Sequence, residues 1–151
     1  MRDYCYVVAG IVGEMLTELF LLDAEALAPF ASRLRRRSRF FGEALQLVNI
    51  LKDANSDATE GRVYLPAGVD RARVFALARR DLDVAAAYVG TLQLAGAPDG
   101  FVAFAGSPAV LARASLDRIE STAPGAKLTR AEVGRLMERM FENLAAGRPV
   151  I

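Results

Sequence analysis

Residues 42 to 66, GEALQLVNILKDANSDATEGRVYLP, constrain this chain more than any other stretch. Gln46, Asn49, Asp53 and Asp57 recur at spacings of 3, 4 and 4. At about 100° per residue, a helix places all four within roughly 80° of one another. Leu45, Leu47, Val48, Ile50 and Leu51 fill the other directions. A surface helix shows the reverse, a broad polar face and one apolar stripe. The pattern therefore predicts a buried helix over Phe40–Asp57 with a narrow polar seam, and a buried seam needs a polar or ionic partner. Oxygen donors suit a hard cation, since Mg²⁺ takes oxygen ligands and is commonly shared with substrate phosphates. Asp53 and Asp57, at i and i+4, project from successive turns toward one point. The same two carboxylates also fit a plainer reading, an acidic helix end met by solvent and nearby arginines. After the seam, Thr59-Glu60-Gly61 breaks the helix and Arg62-Val63-Tyr64-Leu65-Pro66 runs extended, Leu65 being biased away from helix by the proline that follows. Arg62 and Tyr64 can fold back over the seam, and a guanidinium is a fork-shaped phosphate donor. Together these groups suit a diphosphate.

Asn49-Ile50-Leu51-Lys52-Asp53, then Asp57, then Gly61-Arg62-Val63-Tyr64-Leu65-Pro66, resemble the second aspartate-rich motif of the squalene/phytoene synthase family. Tyr4-Cys5-Tyr6-Val7-Val8-Ala9-Gly10-Ile11-Val12-Gly13 resembles that family's other signature. The resemblance implies an all-α helical bundle of the isoprenoid synthase type. It also implies a transferase that condenses two prenyl diphosphates head to head through a cyclopropyl intermediate. On that basis Asn49, Asp53 and Asp57 are expected to hold Mg²⁺. Gln46, Asn49, Lys52, Arg62 and Tyr64 are expected to bind substrate, and Tyr4, Asp53 and Asp57 to act in catalysis. Lys52 stands where the family often has arginine, which keeps the charge and loses the bidentate fork.

The N-terminal signature leans toward the bacterial squalene branch, converting farnesyl diphosphate to squalene, where NADPH would serve as reductant. A phytoene synthase using geranylgeranyl diphosphate is the alternative within the class. A non-catalytic helical module that binds a partner helix is the alternative outside it. The family's first aspartate-rich motif has no counterpart in these residues. The expectation is a single domain over 1–151, the C-terminal part of a larger synthase, incomplete at its N-terminus. Such a chain would need the missing N-terminal half or a partner chain for turnover.

Composition closes off other classes. The 151 residues include no histidine, which excludes a histidine-dependent triad and a histidine metal site. A net charge of +1 gives no overall steering toward nucleic acid. The single cysteine, Cys5, cannot form an internal disulfide and fits a reducing compartment. Met1-Arg2-Asp3 has no cationic leader, and the apolar run from Tyr4 to Gly13 stops at Glu14, short of the about 20 residues that span a bilayer. The expected location is cytoplasmic, with peripheral membrane contact. Arg33, Arg35, Arg36, Arg37 and Arg39 form a dense basic cluster suited to anionic lipid or to docking the missing half. No aromatics interleave it, so RNA is not supported, and a solvated helix face is the plainest reading.

Elsewhere the chain reads as helix throughout. The expected elements are residues 3 to 21, carrying Gly10 and Gly13; Ala24–Arg39, capped by Asp23, with Pro29 near its start; and the seam helix. Next come Arg71 to about Gln93, opened by Asp70, and Phe101–Ile119, where Pro108 marks a start or a kink. Ser107 to Leu116 resembles the family's later helix lining the far end of its cavity. Gly96 to Gly100 reads as a loop and Pro124-Gly125 as a turn. Thr129 with Glu132 three residues on forms a capping box for a last helix to about Ala146, closed by Gly147. No stretch alternates as a strand does, so the fold class is all-α, with five or so long helices.

Overall fold

A computed structural model describes residues 1–59, 61, 64–65, 68–123 and 125–151, without the side chains of 55–59. Among these residues there are five long helices and no strand. Helix α1 spans Arg2–Asp23, with one π-helical turn at Tyr6–Gly10. A 3₁₀ segment, Glu25–Phe30, leads into α2, Ala31–Thr59. Then follow α3, Arg71–Leu94; α4, Asp99–Ser121; and α5, Arg130–Ala145. Helix α2 is the central element, packed against α1, α3 and α4, and α5 rests on α4.

Several boundaries follow from local chemistry as expected. Asp70 caps α3 by accepting from the Ala72 N–H at 3.0 Å. The Thr129 hydroxyl accepts from the Glu132 N–H, while the Glu132 carboxylate accepts from the Thr129 N–H, which completes the capping box of α5. Gly96 and Gly147 close α3 and α5 at positive φ of 71° and 65°, where a Cβ would be strained. The predicted turn at Pro124 lies outside the described residues.

Three boundaries differ from the sequence reading. Asp23 ends α1 instead of capping the next helix, because the break falls at Ala24, whose backbone is extended. Helices drawn separately over Ala24–Arg39 and Phe40–Asp57 are one helix from Ala31. Neither proline nor a helix-breaking pair lies between Arg39 and Phe40, and Pro29 is confined to the 3₁₀ segment upstream. Pro108 lies inside α4, which starts earlier, at Asp99.

The α1–α2 crossing is closer than side chains would permit. A Cβ on Gly42 would lie 2.0 Å from the Ala9 carbonyl oxygen, and one on Gly13 would lie 2.2 Å from the Ser38 carbonyl oxygen. Glycine on each helix thus lets backbone meet backbone. Beyond the crossing, the Thr17 hydroxyl donates to the Gly13 carbonyl and contacts the Tyr88 hydroxyl at 2.8 Å, tying α1 to α3. Phe41 stacks on Tyr88, and Phe20 on Phe101.

The opposite face of α1 is uncovered: Val7, Ile11, Val12, Met15, Leu19 and Leu22 are all exposed. The apolar run does not end at Glu14 in helical terms. It continues to Asp23, and the whole helix is long and apolar enough to cross a bilayer.

The basic cluster of α2 is largely solvated, with Arg33, Arg35 and Arg36 exposed, but two of its members also reach neighbouring helices. Arg35 forms a two-point ion pair with Glu18 of α1 at 2.7 and 2.8 Å. Arg37 donates to the Ala87 carbonyl and the Thr91 hydroxyl of α3. Arg35 and Arg37 therefore tie α2 to α1 and to α3.

Substituting Gly42→Ala or Gly13→Ala drives a methyl into a carbonyl oxygen. Each should lower unfolding stability by about 3 kcal/mol, the upper range for overpacking. Gly90→Ala in α3, where a Cβ meets nothing within 4 Å, should raise it by about 1 kcal/mol. Urea unfolding followed by far-UV circular dichroism reads both signs; equal effects from the three changes would contradict the close crossing.

Candidate functional site

The seam helix is wrapped as its pattern requires. Leu47, Val48, Ile50 and Leu51 are buried against α3 and α4, whereas Gln46 and Asp53 are half-buried and Asn49 is exposed. The expectation of a seam facing the interior is corrected accordingly: it opens into a hollow on the surface. That hollow, of about 370 Å³, is lined by Tyr4, Gln46, Asn49, Ile50, Lys52, Asp53 and Tyr64. The structure thus brings six of the sequence-selected residues to one place. Tyr4 comes from the first turn of α1, the next four from α2, and Tyr64 from the connection to α3. The Tyr4 and Tyr64 rings stack with centroids 4.9 Å apart. The side chain of Asp57, and Arg62 altogether, lie outside the described residues.

Lys52 organises the polar part. Its ammonium donates to Asn49 Oδ1 at 3.2 Å and pairs with Asp53 Oδ2 at 3.4 Å. Two oxygens of the seam therefore already share one positive charge. Asn49, Lys52 and Asp53 also border a second, wider hollow of about 580 Å³ next to the first. Leu45 and Val48 of α2, Pro108 and Leu111 of α4, Leu128 and Val133 give it largely apolar walls, with Lys127 and Ser115 beside them. The three polar residues form a ridge between a small polar hollow and a larger apolar one.

The donor set fits a hard cation in part. The Asp53 carboxylate and the Asn49 and Gln46 amides offer oxygens, and the Lys52 ammonium marks the point where positive charge is favoured. Among the described residues no group of three or more carboxylate, histidine or cysteine side chains gathers to hold a metal unaided. A cation here would draw its remaining ligands from water, a bound phosphate or residues beyond those described.

A charged cluster beneath the site was not anticipated. Glu43 of α2 and Asp81 of α3 are both fully buried. Arg2 of α1 bridges them, donating to Glu43 Oε2 at 2.8 Å and to Asp81 Oδ2 at 3.3 Å. Arg39 donates to Glu43 Oε1 at 2.5 Å and Arg80 to Asp81 Oδ1 at 3.1 Å. The Arg39 guanidinium also lies 4.4 Å over the Tyr6 ring, whose hydroxyl donates to Glu14. Tyr6, a residue of the N-terminal signature, is one wall of this cluster. The sequence did carry a signal for it: Glu43 interrupts the apolar side of the seam helix, and a buried carboxylate requires a cationic partner.

The described residues form an all-α fold, consistent with the isoprenoid synthase type. The squalene/phytoene synthase family model matches residues 1–72, just under half of the chain, a span that contains both signatures. The match ends just inside α3. A bifunctional lycopene cyclase/phytoene synthase of Phaffia rhodozyma is 46% identical over 70 residues, 44% of this chain and 10% of that protein. A phytoene synthase of Thermus thermophilus is 42% identical over 69 residues, 46% of this chain and 21% of that protein. A 4,4'-diapophytoene synthase of Staphylococcus haemolyticus is 40% identical over 64 residues, 42% and 20% respectively. The chain thus spans between a tenth and a fifth of the length of these relatives. No solved structure matches it.

Cys5, fully buried beside the cluster, has its thiol pushed up from 9.0 to about 11, first by burial and then by the Glu43 charge. The thiolate is therefore rare in the folded chain at pH 8, and Cys5 should resist maleimide or disulfide reagents until the chain is unfolded in urea. The raised value also ties stability to pH. Below about 9 both states keep the proton and nothing is lost; between about 9 and about 11 the unfolded chain ionises first, so stability should fall. A Cys5→Ala chain should lack that alkaline component, and prompt labelling of native Cys5 at pH 8 would contradict its burial.

Proposed function

We propose that this chain supplies the second aspartate-rich half of a head-to-head prenyl diphosphate synthase of phytoene type. The observation that carries the reading is the ridge of Asn49, Lys52 and Asp53, standing between a polar hollow and an apolar one. A prenyl diphosphate has that division of character, an anionic head on a hydrocarbon tail. The squalene branch favoured by the N-terminal signature gives way to the phytoene branch, because the relatives described above are phytoene and diapophytoene synthases.

In this reading Asn49 and Asp53, with Asp57, would hold Mg²⁺, which would supply electrostatic stabilisation of a diphosphate leaving group. Lys52 is close enough to Asn49 and Asp53 to turn from them to a phosphate oxygen. Gln46, Arg62 and Tyr64 orient the same group, and Tyr4 stands at the rim of the hollow, where a phenol can donate a hydrogen bond or move a proton. Leu45, Val48, Leu111 and Val133 keep water from the hydrocarbon part. The phytoene-type condensation involves no reductive step, so NADPH is not part of this reading. The uncovered apolar face of α1 is a surface on which an apolar partner would seat.

Calorimetric titration with a non-ionising thiodiphosphate analogue of a prenyl diphosphate tests this. Binding should require Mg²⁺, and Asp53→Ala should weaken it about 30-fold, which corresponds to about 2 kcal/mol for one charged partner. Tighter binding of the geranylgeranyl than of the farnesyl analogue supports the phytoene branch, and the reverse order supports the squalene branch. Mg²⁺-independent binding unaffected by Asp53→Ala would leave only the partner-binding module.

A further inference from the structure

The first turn of α1 carries Tyr4, and two residues before it Arg2 ties the turn to both neighbouring helices. Met1, Asp3 and Tyr4 are exposed, and Cys5 is the one buried apolar residue in the turn. The glycine-mediated crossing that holds α1 on α2 lies further along, at Ala9, Gly10 and Gly13. The π-helical turn Tyr6–Gly10 leads from the first turn into that crossing and contains Ala9 and Gly10. A π turn inserts a residue into the regular ladder, and such turns recur at functional sites. The orientation of the first turn is thus set only in part by the crossing below it.

The bridge made by Arg2 is a second constraint. Its guanidinium reaches Glu43 on α2 and Asp81 on α3 with separate nitrogens, and packs 5.7 Å from the Phe40 ring. Glu43 lies three residues before Gln46, so the anchor point and the seam share one stretch of α2. Both carboxylates are rigidly placed: each is fully buried, and each is held from its far side by Arg39 or Arg80. A planar fork between two fixed acceptors has few orientations available to it.

We propose that Arg2 is a positioning residue of the candidate site: through Glu43 and Asp81 it sets the angle at which Tyr4 stacks on Tyr64 beside the seam. This deepens the proposed function and rests on it for the role of Tyr4. It adds a requirement that neither aspartate-rich motif contains, a salt-bridge clamp formed away from the ligand. Arg39–Glu43–Arg2–Asp81–Arg80 alternates in sign across three helices, and only the central member belongs to the helix that carries Tyr4.

The chain has four tyrosines, Tyr4, Tyr6, Tyr64 and Tyr88, and no tryptophan, so fluorine NMR of the 3-fluorotyrosine-labelled full chain resolves the matter. Single Tyr→Phe changes assign the resonances. Arg2→Ala should shift and broaden the Tyr4 and Tyr64 resonances while leaving that of Tyr88, fully buried on α3 against Thr17 and Phe41, in place. It should also weaken Mg²⁺-dependent binding of the thiodiphosphate analogue about tenfold, corresponding to about 1.4 kcal/mol. Arg2→Lys keeps the charge without the fork and should restore the fold fully but the Tyr4 resonance only in part. Unmoved Tyr4 and Tyr64 resonances in Arg2→Ala would overturn the proposal. So would equal displacement of Tyr88, which would make Arg2 a general support of the fold. A wild-type chain that binds no analogue would count against the proposed function, while the Tyr4 resonance would still decide the clamp.

Discussion

Two backbones in direct contact hold this structure together. Gly42 sits against the Ala9 carbonyl and Gly13 against that of Ser38, with no room for a methyl at either place. Helices usually pack about 8–10 Å apart, their side chains filling the space between. Here the space is removed, and with it the freedom of α1 to slide or rotate on α2. Each glycine lowers helix propensity by about 1 kcal/mol, which the contact must offset. What it secures is register. The start of α1 and the polar seam of α2 arrive at the same end of the crossing, and the candidate site is assembled there.

The carboxylates of the region fall into two kinds. Glu43 and Asp81 are sealed from water, each saturated by two guanidinium groups. Such pairs contribute little net stability compared with apolar packing, but breaking one leaves a charge buried and costs several kcal/mol, on the order of 3–5. They act as constraints on geometry. Asp53 is the other kind: about one third exposed, and paired with a lysine that keeps its flexible stem. The rigid partners lie beneath the site and the adaptable one faces the hollow, an arrangement suited to a ligand that arrives and leaves.

Much of this was legible in the sequence, for identifiable reasons. The spacing of Gln46, Asn49 and Asp53 placed them on one side of a helix because period alone decides that. Asp70, Thr129 and Glu132 announced helix starts because capping is a local event. What could not be read locally depended on a partner far along the chain. The seam's outward aspect is one case: an apolar helix with a narrow polar strip predicts burial, and only the positions of α1 and α4 show that the strip opens to a surface hollow. The arginine cluster is another, since Arg35 and Arg37 are ordinary surface residues until Glu18 and Thr91 come alongside. Continuity of α2 through Arg39–Phe40 was missed for a different reason. Composition changes sharply there, but composition does not stop a helix when no breaker is present. Asp57 and Arg62 remain readings of the sequence and its family resemblance.

Asn49, Lys52 and Asp53 border both hollows, and this has a thermodynamic consequence. One ammonium cannot satisfy two occupants at once. Whatever draws Lys52 to one side of the ridge leaves the other side more acidic, favouring a cation there and disfavouring an anion. The two compartments are therefore linked through a single side chain, and by reciprocity any preference that one occupant imposes on the other is returned in equal measure.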